Sequence, residues 1–271
     1  ISTNVTRILG PTDAAVRSGS GITNATVVEG FTLVGATISG ASSYGVLNIS
    51  SSPTIYNNYI DCGNGGQCYG IQNTSSSPVI SGNIVTGKNS TGNFAIYNQL
   101  NSSATIYNNV IFGGYGANNS VGIYLNGSSP KIWNNTIHGG TATTASFGIR
   151  IINSTTPPIT AMPEIRNNIV FSTVAASVCI EEFNAGTMVS NLENNNVFGC
   201  TTLYRDNPVV NYGFICVATG NFWTGAGCTG TQLTTPTGSG NISVDNAGPL
   251  FVLINGTDGN INTMADNDWH L

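Results

Sequence analysis

Residues 45–60 read GVLNISSSPTIYNNYI, residues 70–85 GIQNTSSSPVISGNIV, residues 95–111 AIYNQLNSSATIYNNVI and residues 122–137 GIYLNGSSPKIWNNTI. The four segments say nearly the same thing. The Asn three positions after each Ile falls at Asn58, Asn83, Asn109 and Asn135, in steps of 25, 26 and 26 residues, and it recurs at Asn168 and Asn195. A fixed period in this range marks a repeat architecture, in which each unit buries its apolar face only against its neighbours.

Each repeat holds two short β-rich runs. One begins at a small residue (Gly45, Gly70, Ala95, Gly122, Gly148) and the other is centred on Ile55, Ile80, Ile106, Ile132 and Ile165. Ser-Ser-Pro and Asn-Gly clusters between them are turn chemistry, and no window carries a helical apolar stripe. The predicted fold is all-β, a parallel β-helix with like residues stacked above like. Val46, Ile71, Ile96, Ile123 and Ile149 form one core column, the Ile55 series a second, and Ile60, Val85, Ile111, Ile137 and Val170 a third. The Asn column is predicted to sit at a left-handed corner and to bond up and down the stack as an amide ladder.

The repeated SSPxIxNNxI, the early VVEGFTLVGATI (27–38) and the late NISVDNAGPLFV (241–252) followed by NDWHL (267–271) resemble bacterial secreted proteins of the right-handed parallel β-helix, pectate lyase-like superfamily. The resemblance covers residues 28–271 and implies a right-handed solenoid. It is specific for fold and not for activity, since that superfamily spans lyases, hydrolases, epimerases, tailspikes and proteins without a known reaction.

A solenoid needs no second core, so the 271 residues are predicted to form one domain of about ten coils of 25–27 residues: opening coils over 1–49, regular coils over 50–200 and loop-rich C-terminal coils over 201–271. Only 7% of residues are charged, the net charge is −5 and Lys plus Arg number seven, which argues against nucleic acid and anionic membrane as partners. No apolar run is long enough to span a bilayer, so membrane insertion is not expected. Cys62, Cys68, Cys179, Cys200, Cys216 and Cys228 lack a CxxC pair or nearby His, which favours disulfides, hence an oxidising compartment and a secreted or cell-surface protein. Cys62 with Cys68 is the expected clip, and 179 with 200 and 216 with 228 the expected pairing among the alternatives for the rest. The chain begins at Ile1 without a signal sequence and reads as a mature exported protein.

The motifs of the superfamily's uronate-active enzymes are missing: no NTD, DD, GHG, RIK or DPHD occurs, and His138-Gly139-Gly140 only echoes them. His138 reads as an exposed turn residue. Glu182, Glu193 and Arg205 are the alternative catalytic set, because glycoside hydrolysis needs two acids ~5–9.5 Å apart. Arg166 and Glu193, one coil apart in a column, read more simply as a stacked ion pair. Asp258, Asp266 and Asp268 are weak calcium ligand candidates; no other cofactor is implied.

Two columns are predicted to face solvent: Tyr56, Ser81, Tyr107, Trp133, Arg166 and Glu193, and Leu47, Gln72, Tyr97, Tyr124 and Arg150. Aromatic rungs beside amides and hydroxyls suit sugar rings, so Tyr56, Tyr97, Tyr107, Tyr124 and Trp133 are the candidate glycan-binding residues. The expected function is a non-catalytic exported surface or matrix protein that presents this face to a glycan or another surface protein, with head-to-tail self-association through uncovered strand edges. The alternative is a polysaccharide-active enzyme, a lyase or glycoside hydrolase, acting on a neutral or weakly charged glycan.

Overall fold

The computed structural model describes residues 6–184, 187, 189–206, 210–212 and 241. These form an all-β, right-handed parallel β-helix; the hand is the one that strand–crossover–parallel strand connections take. In one turn the chain passes through Thr54–Tyr56, Tyr59–Asp61 and Gln67–Thr74 before returning to Val79–Ser81, which pairs with the strand it left. Three parallel sheets result. Sheet 1 carries the long strands Ala14–Ser18, Ser42–Ile49, Gln67–Thr74, Asn89–Gln99, Tyr115–Asn126, Ala145–Ile152, Ser177–Glu182 and Thr202–Asp206. Sheet 2 runs from Val27–Glu29 to Asn191–Glu193, and sheet 3 from Arg7–Leu9 to Asn196–Phe198.

Among the described residues the solenoid has about eight turns, matching the eight strands of sheet 3, and not the ten expected. A coil length of 25–27 does not hold throughout: 33 residues separate Asn135 from Asn168. The antiparallel hairpin Ser154–Thr155 with Pro158–Ile159 takes up the excess between a strand of sheet 1 and one of sheet 2. The disulfides Cys62–Cys68 and Cys179–Cys200 are formed. The expected Cys216–Cys228 bond, the calcium candidates Asp258, Asp266 and Asp268, and nearly all of the loop-rich segment lie outside the described residues.

The three apolar columns form the core, with Val46, Ile55, Ile60 and their counterparts in each later turn fully buried. The small residue before the first column has a steric cause. A Cβ added to Gly45 would lie 2.5 Å from Cγ2 of Ile60, and one added to Gly122 would lie 2.7 Å from Cγ2 of Ile137. The third column occupies the space that a side chain there would need.

Two ladders of amides hold the turns in register. Asn58, Asn83, Asn109, Asn135, Asn168 and Asn195 are all buried. The side-chain carbonyl of Asn109 accepts from the backbone N–H (2.9 Å) and the Nδ2 (3.0 Å) of Asn83, while its own Nδ2 donates to Tyr107 O (2.9 Å), Ile80 O (3.0 Å) and Asn135 Oδ1 (3.0 Å). The same pattern runs from the backbone N–H of Phe31 to the side chain of Asn241. The left-handed conformation, however, belongs to the residue before each rung: Asn57, Asn108, Asn134, Asn167 and Asn194 have φ between 53° and 55°, and Gly82 and Gly30 take the same place. The sequence reading gave one Asn both roles; the Asn-Asn pair divides them, the first turning the corner and the second filling the ladder. On sheet 1, Asn48, Asn73 and Asn98 form a second buried ladder through Nδ2–Oδ1 bonds of 2.8 and 2.7 Å. It stops where Leu125 stands opposite Asn98.

His138 is not an exposed turn residue. It ends strand Thr136–His138 and is buried, with ring centroids 5.1 Å from Phe112 and 4.6 Å from Phe171, and its Nδ1 accepts the N–H of Gly140 at 2.8 Å. Burial lowers its pKa from 6.5 to about 3.

Two predictions follow from the ladder and the histidine. Asn109→Ala removes both donor and acceptor from a buried rung and should lower the unfolding free energy by ~3 kcal/mol, whereas Asn108→Gly should change it by under ~1 kcal/mol, since glycine accepts φ > 0 freely; urea unfolding of the two variants checks this. The unfolded chain protonates His138 near 6.5 while the native state resists until about 3. Its contribution to stability is therefore complete above pH 6.5 and is lost as pH falls, by ~1.4 kcal/mol per unit. The pH dependence of wild-type unfolding should exceed that of His138→Phe by that slope between pH 6 and ~4; parallel curves would mean that the ring is accessible.

Candidate glycan-binding faces

In sheet 1 the inward pair Gly45–Val46 interrupts strict alternation, so that Tyr44 and Leu47 both turn outward. Repeated every turn, this builds an outer face of three columns. The first is Tyr44, Tyr69, Phe94, Val121, Phe147 and Val178; the second is Leu47, Gln72, Tyr97, Tyr124, Arg150, Glu181 and Arg205. The third carries Thr74, Gln99 and Asn126 in adjacent turns.

The aromatic side chains of this face stack on one another. Tyr44, Tyr69 and Phe94 lie one above the next, with centroids 5.2 Å apart at each step and planes within 13°. Tyr97 and Tyr124 form a second stack at 5.1 Å and 18°, and Phe94 meets Tyr124 edge-on at 5.2 Å. Burial raises the hydroxyl pKa of Tyr97, and that of Tyr124 to about 12, so both remain neutral donors. Amides border the pair: Asn126 Nδ2 donates to the Tyr97 hydroxyl at 3.4 Å, and Gln99 Nε2 to Thr74 Oγ1 at 2.9 Å.

One turn beyond Tyr124 the face becomes ionic. The carboxylate of Glu181, only 1% exposed, lies 2.6 Å from Arg150 Nε and 2.9 Å from Arg205 Nη1. The Arg150 guanidinium sits over Phe147 at 4.5 Å and Phe183 at 4.6 Å. Glu181 is thus clamped by a cation in the turn on either side, and the rings cover the Arg150 guanidinium that pairs with it.

Sheet 2 presents a separate wall. Tyr56, Tyr107 and Trp133 share its outward column with Ser81, Arg166 and Glu193. Tyr56 is 43% exposed, and Lys131 Nζ lies 5.2 Å from the centroid of the Trp133 ring. Arg166 Nε pairs with Glu164 at 2.6 Å and Glu193 at 3.4 Å.

The structure therefore divides the five aromatic candidates, Tyr97 and Tyr124 on sheet 1 and Tyr56, Tyr107 and Trp133 on sheet 2. It does not bring Glu182, Glu193 and Arg205 together. Glu182 points into the solenoid and is fully buried, accepting bonds from the Tyr204 hydroxyl and from Val189 N; Glu193 stands on sheet 2; Arg205 belongs to Glu181. Leu47, expected to face solvent, is only 4% exposed. The aromatic column Tyr44, Tyr69, Phe94 and Phe147 was overlooked, although each member directly precedes the small residue that opens its repeat. Among the described residues no group of three or more His, Cys, Asp or Glu side chains is placed to hold a metal ion.

No protein-family model matches this chain, and no curated protein matches it. Among solved structures it is similar to the A-module of mannuronan C-5 epimerase AlgE6 from Azotobacter vinelandii, with 16% identity, a TM-score of 0.46, and coverage of 89% of this chain. The match spans 57% of the length of that structure.

The two ion-pair groups differ in burial, and their variants should differ accordingly. Glu181→Gln removes the buried carboxylate charge that lies 2.6 Å from Arg150 Nε and 2.9 Å from Arg205 Nη1, and should cost ~3 kcal/mol. Glu193→Gln, on an open wall, should cost under ~1 kcal/mol. Chemical denaturation of both, at low and high salt, measures the difference.

Proposed function

We propose that this chain is a non-catalytic, exported surface or matrix protein that binds a glycan on the outer face of sheet 1. The observation that carries the reading is the parallel pair Tyr97–Tyr124 on an outward column, bordered by Gln72, Gln99, Thr74 and Asn126. A sugar ring offers an apolar face to aromatic rings and hydroxyls to amides, and this platform supplies both. Rungs ~4.8 Å apart also suit a glycan chain running along the solenoid axis, one sugar residue to a turn.

The non-catalytic part of the proposal rests on the carboxylates. Hydrolysis with retention or inversion needs two acids across one bond. On this face Glu181 is engaged by Arg150 and Arg205, and Glu182 faces the core. Export accords with the disulfides Cys62–Cys68 and Cys179–Cys200, since such bonds persist in oxidising compartments.

A glycan-array screen followed by titration tests the reading. Tyr97→Ala together with Tyr124→Ala should weaken binding to whichever glycan is found by more than about tenfold, the scale of lost ring contacts, with little change in fold. Unchanged affinity would sink the assignment to this face. Release of unsaturated or reducing products from any bound polysaccharide, abolished by Glu181→Gln or Glu182→Gln, would establish the enzymatic alternative instead.

A further inference from the structure

Beside sheet 1, three strands continue past the line at which the earlier ones begin. Asn89–Gln99 and Tyr115–Asn126 each start with residues that have no counterpart in Gln67–Thr74, and Thr141–Ala142 pairs with the second of them. In this extension Asn89 pairs with Tyr115 and Tyr115 with Thr141, while Ser90 pairs with Gly116 and Gly116 with Ala142. An irregularity in register between Ser90 and Gly92 then separates the extension from the sheet proper. The result is a small shelf, set off from the Tyr97–Tyr124 face.

The shelf is preformed. Tyr115 N bonds Lys88 O at 3.2 Å, Thr141 N bonds Gly114 O at 2.8 Å, Thr143 N bonds Gly116 O at 3.3 Å and Thr144 N bonds Asn118 O at 3.0 Å. The side-chain amide of Asn93 donates to the carbonyl of Tyr115 from below, and the Tyr115 ring rests edge-on against Phe112, with centroids 6.2 Å apart. Glycine is obligatory at position 116, where a Cβ would lie 2.3 Å from the carbonyl oxygen of Asn119.

On this shelf opens a groove of about 420 Å³, lined by Asn89, Tyr115, Gly116, Thr141, Ala142 and Thr143. Its volume falls within the ~300–1,000 Å³ of small-molecule sites. The lining combines one aromatic ring, an exposed amide, two threonine side chains and a bare stretch of backbone. None of the six residues is ionisable near neutrality, and the adjacent Lys88 is engaged by Asp61 at 2.9 Å.

We infer that this groove is a second carbohydrate site, taking a single neutral sugar unit that stacks on Tyr115 and exchanges hydrogen bonds with Asn89, Thr141 and Thr143. A uronate or sulfated sugar is disfavoured because, among the described residues, no cation lines the groove and the adjacent Lys88 is already paired with Asp61. The inference stands apart from the reading of the Tyr97–Tyr124 face: it uses other residues on another part of each turn.

The test is ligand-observed NMR on the full chain with a panel of methyl glycosides of glucose, galactose, mannose and N-acetylglucosamine, and with glucuronic acid as the charged control. At least one neutral glycoside should give saturable transfer that weakens about tenfold in Tyr115→Ala, as expected for loss of one ring contact. It should weaken similarly in Thr141→Val, which preserves side-chain shape and removes the hydroxyl. Tyr97→Ala with Tyr124→Ala should leave this signal intact even if polysaccharide binding is lost, so that failure of either site is seen separately. Should Tyr115→Ala misfold, Thr141→Val and Asn89→Leu decide. No saturable signal from any neutral glycoside, a signal unaffected in the folded variants, or preferred binding of glucuronic acid would overturn the inference.

Discussion

Everything in this molecule depends on each turn lying in register on the one before it. The backbone bonds of parallel sheets would tolerate a slip along the strand, but the buried amides do not. The side-chain carbonyl of Asn109 accepts both of its bonds from Asn83, and its amino group meets Asn135 Oδ1 as well as Ile80 O in the preceding turn, so the full set forms only when the turns stand in register. A slipped turn would leave polar groups unpaired in a dry interior, at a cost comparable with a sizeable share of the stability of a domain. The apolar columns drive the burial, and the amide columns decide how the buried parts align.

Register has consequences on the outside. Because equivalent residues recur above one another, outward side chains form columns whose members must tolerate close approach to their own kind. On sheet 1 this is met by ring stacking in Tyr44–Tyr69–Phe94 and Tyr97–Tyr124 and, where charges begin, by alternation of sign through Arg150, Glu181 and Arg205. A chain with so few charges places one cluster of them where a column would otherwise stack like on like. The same repetition makes the faces suited to an extended repeating ligand, and the local irregularity at Ser90–Gly92 creates a shelf suited to a compact one.

Much of the fold was legible because a repeat reports on itself. Recurrence of Ile55, Ile80, Ile106, Ile132 and Ile165 at a nearly constant interval marks a buried column without knowledge of what lies opposite, and these residues are indeed fully buried. The number of turns was less legible. The count of ten spread an average period over all 271 residues, whereas the eight turns are those of the described residues, among which the hairpin at Ser154–Ile159 also adds residues without adding a turn. His138 misled for a related reason: next to two glycines it looks like part of a turn, whereas it closes a strand and lies between phenylalanines from the turns on either side.

The candidate sites divide along the same line. Sequence alone determined the parallel β-helix, its core columns and the main Asn ladder, because each of these is set by spacing within the repeat. Only the tertiary structure decided that Tyr97 and Tyr124 stand on a different wall from Tyr56, Tyr107 and Trp133, that Glu181 and not Glu182 meets Arg205, and that Asn89, Tyr115 and Thr141 share a groove. Those relations depend on how a corner folds and on where an inward pair such as Gly45–Val46 interrupts alternation. A periodic pattern records that a residue returns every turn, but the direction it faces is set by the local backbone and by the neighbours that leave it room.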